Sequence, residues 1–164
     1  MPDAKQIVVN TSPLLALIAA WGRLDRLQAL YARVLVPFEV CEEIRHGGKD
    51  GFGVTEFQSA DFLDKQAEPL AIAPFLRNSL DRGEAAVIQL ALDRGVRTVC
   101  IDELVGRRVA RLNDLELTGS VGVLVRAYRQ DQGFSEKEAL RRMQEKGIRL
   151  GDQVVEFALR EAGD

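Results

Sequence analysis

The sequence predicts an α/β domain built on a central parallel sheet of four to five short strands, with helices on both faces and a helical C-terminal segment. Short apolar runs alternate with amphipathic stretches of helical period over the first 120 residues or so, which is typical of a parallel sheet. Beyond them the pattern is helical only. The 164 residues suffice for one core, so we expect a single domain over 1–164 with a helical extension from about 130.

The first third of the chain shows two strand-and-helix alternations. The pair Ser12-Pro13 is typical of an N-cap and a first helical position, and Gly22 is typical of a helix end. The stretch "HGGKDGFG" has no periodicity and predicts a mobile loop. The predicted elements are a strand at 6–10, helices at 12–21 and 23–31, a strand at 33–37, a helix at 37–45 and the loop at 46–53.

The rest of the chain gives a weak region followed by clear elements. Residues 55–66 fit a helix and "PLAIAP" at 69–74 fits a short strand. Ser135 and Glu138 form the S-x-x-E pattern of a capping box. The later predicted elements are a helix at 83–95, a strand at 96–102, a helix at 103–114, a strand at 115–119, and helices at 121–133, 135–147 and 150–163.

Composition limits the classes of function. The net charge of −3 argues against a uniformly basic nucleic-acid binder, although 17 of the 22 basic residues are arginine, whose planar fork suits phosphate. A single histidine and two distant cysteines, Cys41 and Cys100, argue against a zinc site. No apolar run is long enough to cross a bilayer, and no basic region precedes the first apolar run. We therefore expect a cytoplasmic protein with no membrane association.

Polar residues follow two of the predicted strands. Asn10 ends the first strand and Asp102 ends the fourth, while Glu43 (beside Glu42) and Glu84 lie on adjacent helices. Ligands of open parallel sheets bind at the carboxyl ends of the strands. If the fold brings these side chains together, their oxygens suit Mg²⁺ or Mn²⁺.

Each of these positions also has a structural interpretation. Asn10 can form the turn between strand and helix. Asp102 can cap the following helix. Glu84 can complete a capping box with Asp81, yet it shares a helix face with apolar residues and would then need a partner. Glu42 and Glu43 can be solvated. Phosphate binding and a solvated helix face are both open for Arg107, Arg108 and Arg111.

Three blocks of the sequence together resemble the PIN-domain superfamily of metal-dependent nucleases. They are "VVNTSPLLALIAAWGRLDRLQALYARVLVPFEVCEEI", "LDRGEAAVIQLAL" and "TVCIDELVGRRVAR", and the resemblance covers roughly residues 6–125. More closely, the chain resembles a PIN-like subgroup allied to the VapC toxins of bacterial toxin–antitoxin pairs. The resemblance implies a PIN-like three-layer fold whose acids hold one or two Mg²⁺ or Mn²⁺ ions and cleave RNA.

The family's acids can be carried over by matching motif. The first family aspartate falls on Asn10, and the remaining acids fall on Glu43, Glu84 and Asp102. Thr11 and Ser12 match the small hydroxyl residues that follow the first acid. The resemblance thus implies that Asn10, Glu43, Glu84 and Asp102 form the catalytic and metal-binding set, supported by these hydroxyl groups.

Three functions follow from this pattern. The first is a metal-dependent endoribonuclease, in which a divalent ion activates water and neutralises charge for phosphodiester hydrolysis. The resemblance further implies that this enzyme is a toxin that forms a homodimer and binds a small antitoxin protein. The second is a catalytically weakened module that binds RNA or protein, because Asn10 brings no charge. The third, a receiver-like or nucleotide-binding domain, lacks paired acids after the first strand and a G-x-G-x-x-G loop.

Overall fold

The strands of the protein form one sheet in the computed structural model. The model describes residues 5–47, 51–130, 133–148 and 150–161, without the side chains of residues 152, 153 and 161. The strands are β1 (Gln6–Val9), β2 (Arg33–Val36), β3 (Asp64–Lys65), β4 (Thr98–Cys100) and β5 (Glu116–Thr118). All neighbouring pairs are parallel, in the order β3-β2-β1-β4-β5. The predicted α/β class with a parallel sheet is confirmed.

Strand β1 lies in the middle of the sheet. Its Ile7 pairs with Val34 of β2 and its Val8 with Val99 of β4. Both faces of the strand are covered, which explains why residues 7–9 are all apolar and buried. The strand order reverses between β1 and β4, so the ligand-binding crevice of such a sheet is expected at the carboxyl ends of these two strands.

Ten helices surround the sheet in the part of the chain that the structure describes. Helix α1 packs against α8 and α9, and α3 packs against α6. No helix among the described residues has both the length and the apolar character needed to cross a membrane. The helices are α1 (Thr11–Trp21), α2 (Asp25–Leu30), α3 (Phe38–Arg45), α4 (Val54–Ser59), α5 (Pro74–Ser79), α6 (Arg82–Arg94), α7 (Leu104–Leu112), α8 (Ser120–Gln130), α9 (Glu136–Glu145) and α10 (Asp152–Glu161).

Several predicted helix ends are confirmed. Gly22 ends α1 in the left-handed conformation at φ 80°, which a residue without Cβ adopts readily. The Ser135 side chain accepts a hydrogen bond from the Glu138 N–H, as the capping box predicts. The prediction of Ser12 as N-cap is wrong, because Asn10 is the extended residue before α1 and Thr11 is already helical. Pro13 still lies in the first turn, where its missing N–H costs nothing.

Residues 54–73 differ most from the prediction. The predicted helix at 55–66 is confined to α4 and is followed by the two-residue strand β3. The predicted strand at 69–74 is wrong. Its backbone groups bond to side chains instead, since the Leu70 N–H donates to Glu39 Oε2 and the Ala73 N–H to Gln89 Oε1. The predicted loop at 46–53 falls partly on residues 48–50, which lie outside the described residues.

Candidate metal centre

Asn10 occupies the central position at the carboxyl edge of the sheet. It follows β1 directly, and its N–H donates to the carbonyl of Cys100 at 3.1 Å, which ties the ends of β1 and β4 together. The side chain is only 4% exposed. Its Oδ1 atom is buried and has no hydrogen-bond partner among the described residues. A buried acceptor of this kind is costly unless a donor or a cation satisfies it.

Glu43 of α3 comes to the same place. A Cβ atom built on Gly83 would lie 3.1 Å from Glu43 Oε1 and 3.2 Å from Asn10 Oδ1, so both oxygens border the space above this glycine. Thr11 donates its hydroxyl hydrogen to Glu43 Oε1. Two residues that the sequence predicted as ligands therefore meet, and the hydroxyl predicted to support them orients one of the two.

Glu84 is the most deeply buried acid of the edge. It lies in the first turn of α6, is 4% exposed, and its Oε2 atom has no hydrogen-bond partner within the described part of the chain. Ligand oxygens of Asp81, Glu84 and Glu103 all lie within 4.8 Å of one another. Burial above all, and then the charges of Asp81 and Glu103, raise the pKa of the Glu84 carboxyl to about 7. Three acids this close together fit a cation.

The capping interpretation of Asp81 is also correct. Its Oδ1 accepts a hydrogen bond from the Glu84 N–H at 2.8 Å, so Asp81 is the N-cap of α6. The D-x-x-E pattern thus indicates the start of a helix, and it also brings the carboxylates of Asp81 and Glu84 close together.

Asp102 has a different environment. Its Oδ1 accepts a hydrogen bond at 2.7 Å from the N–H of Ser120, the first residue of α8. The interpretation of Asp102 as the cap of the next helix is wrong, since the N-cap of α7 is Glu103 and its side chain makes no capping bond. The Asp102 carboxylate instead connects the end of β4 to the start of α8, at the same edge of the sheet.

Three glycines allow the carboxylates to approach the backbone. Gly83 borders Asn10 and Glu43, as described above. A Cβ on Gly106 would lie 2.7 Å from Glu84 Oε2, and a Cβ on Gly119 would lie 2.7 Å from Asp102 Oδ1. Any side chain at Gly106 or Gly119 would displace the acid beside it. The absence of a Cβ atom at these glycines therefore leaves room for the carboxylates of Glu84 and Asp102.

The predicted phosphate-binding arginines lie on α7. Arg107 is half-buried, and its Nη1 donates to the carbonyls of Ile101 at 2.7 Å and Thr118 at 3.3 Å. This nitrogen therefore holds the ends of β4 and β5 together. Arg108 and Arg111 are exposed, as is Ser12, the second predicted hydroxyl residue. Contact of Arg107, Arg108 and Arg111 with RNA stays a prediction, and so does the supporting role of Ser12.

Some residues of the site were missed in the sequence. Asp81 and Glu103 were not proposed as ligands, although Asp81 precedes Glu84 by three residues and Glu103 follows Asp102 directly. The glycines were missed as well. Gly106 interrupts an otherwise good helical sequence, and a glycine inside a helix costs about 1 kcal/mol relative to alanine, which signals a packing or functional reason.

The comparison with protein families decides the relationship of the chain. A model of the PIN domain matches residues 6–164. The chain belongs to the PIN-domain family. No curated protein matches it significantly. PIN domains have a nuclease-type fold and generally use divalent metals, and the family suggests RNA binding.

The residues of this PIN domain fit a hard divalent cation. The available donors are carboxylate and amide oxygens, which Mg²⁺ and Mn²⁺ prefer. Two of these donors, Asn10 Oδ1 and Glu84 Oε2, are buried atoms without a partner among the described residues. Asp81 and Glu103 add negative charge beside Glu84. The donor set thus agrees with the metal use of the family.

Proposed function

We propose that this PIN domain is a Mg²⁺- or Mn²⁺-dependent endoribonuclease and the toxin of a toxin–antitoxin pair, allied to the VapC toxins. The observation that carries the proposal is the buried Glu84 carboxylate, which lies beside Asp81 and Glu103 and has one oxygen without a hydrogen-bond partner among the described residues. A lone carboxylate with no partner is destabilising at 4% exposure. A divalent cation would remove this cost, and metal-dependent nucleases use such a cation to hydrolyse phosphodiesters.

The side chains divide the work of the site. Asp81, Glu84 and Glu103 are the proposed cation ligands, with Asn10 and Glu43 beside them as further oxygen donors. The Thr11 hydroxyl holds Glu43 in one orientation. When bound, the cation supplies Lewis acidity and neutralises charge at the scissile phosphate. Asp102 offers its second oxygen, Oδ2, at the same edge, while Oδ1 stays with the Ser120 N–H.

The exposed arginines of α7 are the proposed contacts to the RNA backbone. Arg108 and Arg111 follow Glu103 by five and eight residues and are exposed to solvent. Such groups bind phosphate oxygens in pairs and position a strand without reading its sequence. Arg107 contributes charge nearby, although one of its nitrogens is bound to backbone carbonyls.

The partners of the proposed toxin follow from its resemblance to VapC proteins. A small antitoxin, a homodimer and a cytoplasmic location all belong to this proposal. The resemblance of the first block and of the "GEAAVI", "CID" and "GRRVA" motifs supports them.

A second candidate function is an RNA- or protein-binding module with weakened catalysis. The specific observation in its favour is Asn10, which places a neutral amide where the family carries its first acid. With one negative charge fewer, the site holds a cation less tightly.

The test is cleavage of tRNA by the full-length chain with Mg²⁺ or Mn²⁺, and with EDTA as the metal-free control. Glu84→Gln keeps the shape of the side chain but removes its charge. Loss of a residue that only supports a metal ligand typically lowers activity by roughly 10- to 100-fold. We expect the cleavage rate of Glu84→Gln to fall by more than this. The matched control is Glu68→Gln, the same change at an exposed glutamate, which should cleave at the unaltered rate.

Two results would count against the nuclease. Cleavage that persists in EDTA, or that survives Glu84→Gln, contradicts a metal centre at this place. If the unaltered chain binds tRNA in a fluorescence anisotropy assay but does not cut it with either ion, the binding module replaces the nuclease as the proposed function.

A further inference from the structure

We propose that a cavity beside the acid site binds a guanine base of the RNA substrate through Glu39. The inference rests on the proposed ribonuclease function for its biological role. The binding of guanine itself is measured without metal and without cleavage, so the two proposals can fail separately.

The cavity has a volume of about 610 Å³. Small-molecule sites commonly measure roughly 300–1,000 Å³, and mostly apolar walls with a few polar groups are typical of them. Its walls come from the segment 69–72 and from Leu80 and Ala85, with Arg77 and Arg82 as the basic members of the lining. Glu39 is the only carboxylate among its described lining residues. Apolar walls with one acid and two arginines suit a flat base attached to a phosphate.

Only one of the two carboxylate oxygens of Glu39 accepts a hydrogen bond from the described residues. The side chain is 3% exposed, and its Oε2 accepts the Leu70 N–H at 2.8 Å. Its Oε1 is buried and lacks a hydrogen-bond partner among the described residues. An ionised carboxylate can only accept hydrogen bonds, so a ligand that satisfies this atom must bring N–H or O–H groups. The unsatisfied atom costs free energy until such a donor arrives.

Guanine is the standard base that matches a carboxylate best. Its N1–H and N2–H₂ groups are adjacent donors on the Watson–Crick edge. Adenine and cytosine each place an amino group next to a ring acceptor, and uracil places its N3–H between two carbonyls. Those acceptors would face the carboxylate oxygens unfavourably. Bases splayed out of single-stranded RNA are read by hydrogen bonds to this same edge.

The cavity and the acid site share two helices. Glu39 precedes Glu43 by four residues on α3, which is about 6 Å along the helix axis. On α6, the lining residues Arg82 and Ala85 flank Gly83 and Glu84. A nucleotide with its base against Glu39 therefore lies, with its phosphate, next to the acid site.

The two arginines supply the positive charge that this phosphate needs. Arg82 pairs with Glu42 at 3.0 Å on the surface, an exchangeable contact. Arg77 is exposed. The segment 69–73 belongs to no helix or strand, and its Leu70 N–H is bonded to Glu39. Because Glu39 Oε1 is buried, the base reaches it only if this segment moves outward.

The test is calorimetric titration of the full-length chain in EDTA with guanosine, inosine and adenosine 5′-monophosphates and with inorganic phosphate. Inosine lacks only the N2 amino group. Loss of one hydrogen bond to a charged group costs about 1.5–3 kcal/mol, so inosine monophosphate should bind about 10- to 100-fold more weakly than guanosine monophosphate. Adenosine monophosphate should bind no better than phosphate.

The variant is Glu39→Gln, which keeps an oxygen for the Leu70 N–H but presents an amide donor in place of the second acceptor. We expect it to lose the preference for guanosine over adenosine monophosphate by tenfold or more. Glu68→Gln, in the exposed stretch just before the cavity segment, makes the same charge change and should leave the preference intact. Thermal unfolding of both variants checks that the fold is kept.

Equal affinities for guanosine and adenosine monophosphates in the unaltered chain would overturn the proposal, whatever the stability of the variant. So would a guanosine preference that survives in a folded Glu39→Gln chain. Guanosine binding without RNA cleavage would leave the cavity assigned and remove the nuclease, while cleavage without a guanosine preference would do the reverse.

Discussion

At the scale of single residues, the site has a buried amide, Asn10, at the position where the resemblance to PIN nucleases implies an acid. Asn10 Oδ1 is oriented towards the same space as Glu43 Oε1. An amide oxygen can coordinate a cation, but it contributes no charge. In the proposed metal centre, the neighbouring carboxylates of Asp81, Glu84 and Glu103 therefore supply the attraction. Loss of one charge at the first position is thus partly offset by acids that the family motif alone does not point to.

Asn10→Asp should tighten Mn²⁺ binding, because it adds a charge at a buried donor next to Glu43. We expect the dissociation constant to fall by about tenfold, in line with the way ligand charge tunes oxygen-donor sites. Isothermal titration calorimetry with MnCl₂ measures the change. An unchanged affinity would place Asn10 outside the metal centre. In EDTA the same variant should unfold more easily than the unaltered chain, since the new carboxylate lies buried beside another acid.

At the scale of secondary-structure elements, Asp102 joins the sheet to the C-terminal helices. Its hydrogen bond to the Ser120 N–H satisfies a backbone donor at the N-terminus of α8. A negative charge there also interacts favourably with the positive end of the helix dipole. One carboxylate thus serves both the edge of the sheet and the start of a helix that packs on α1.

Substitutions of Asp102 can separate these two roles. Asp102→Ala removes the acceptor for Ser120 and should lower the free energy of unfolding by about 1 kcal/mol, the usual cost of losing a cap. Asp102→Asn keeps an oxygen acceptor and should lose less, yet it removes the charge at the edge. Chemical denaturation of both variants in EDTA measures the difference. Equal losses would show that charge, and not the hydrogen bond, stabilises α8.

At the scale of the whole molecule, the apolar pattern predicted the sheet well and the region around 54–73 poorly. Residues 7–9 of β1 are buried, and this apolar run identifies the strand in the sequence. Strand β3 consists of Asp64 and Lys65, whose polar side chains carry no such signal. "PLAIAP" has the composition of a strand, but Glu39 and Gln89, far away in sequence, bind its backbone.

The site was predictable to a similar extent. Asn10 and Asp102 follow strands and Glu84 lies in the first turn of α6, and such strand ends and helix starts are visible in the sequence. Glu43 lies near the end of α3, where only the resemblance to the family motif pointed to it. The Asp81–Glu84–Glu103 grouping was not predictable, since it depends on how closely α7 approaches α6. Gly106 sets that approach, through a contact that only the folded chain contains.

The buried Glu84 should also make the stability of the metal-free protein depend on pH. Its pKa is about 7 in the folded chain against 4.5 for an unperturbed glutamate. The folded state therefore binds the proton more tightly, and this contribution is complete below pH 4.5 and lost as the pH rises through 7. It amounts to at most about 3 kcal/mol.

Glu84→Gln removes this titration. In EDTA the variant should gain stability relative to the unaltered chain as the pH rises from 4.5 to 8, and urea unfolding at several pH values measures that gain. A constant difference between the two proteins across this range would contradict a raised pKa for Glu84.

The central position of β1 has a consequence for synthesis on the ribosome. The first strand to be made has β2 as its early neighbour, but its other neighbour, β4, emerges only after residue 100 has been added. Until then, the edge of β1 that pairs with β4 is exposed, and the growing chain contains Asn10 and Glu43 but not Glu103. The proposed site is complete only after Glu103 has been added. The proposed nuclease therefore cannot cut RNA during the earlier part of its own synthesis.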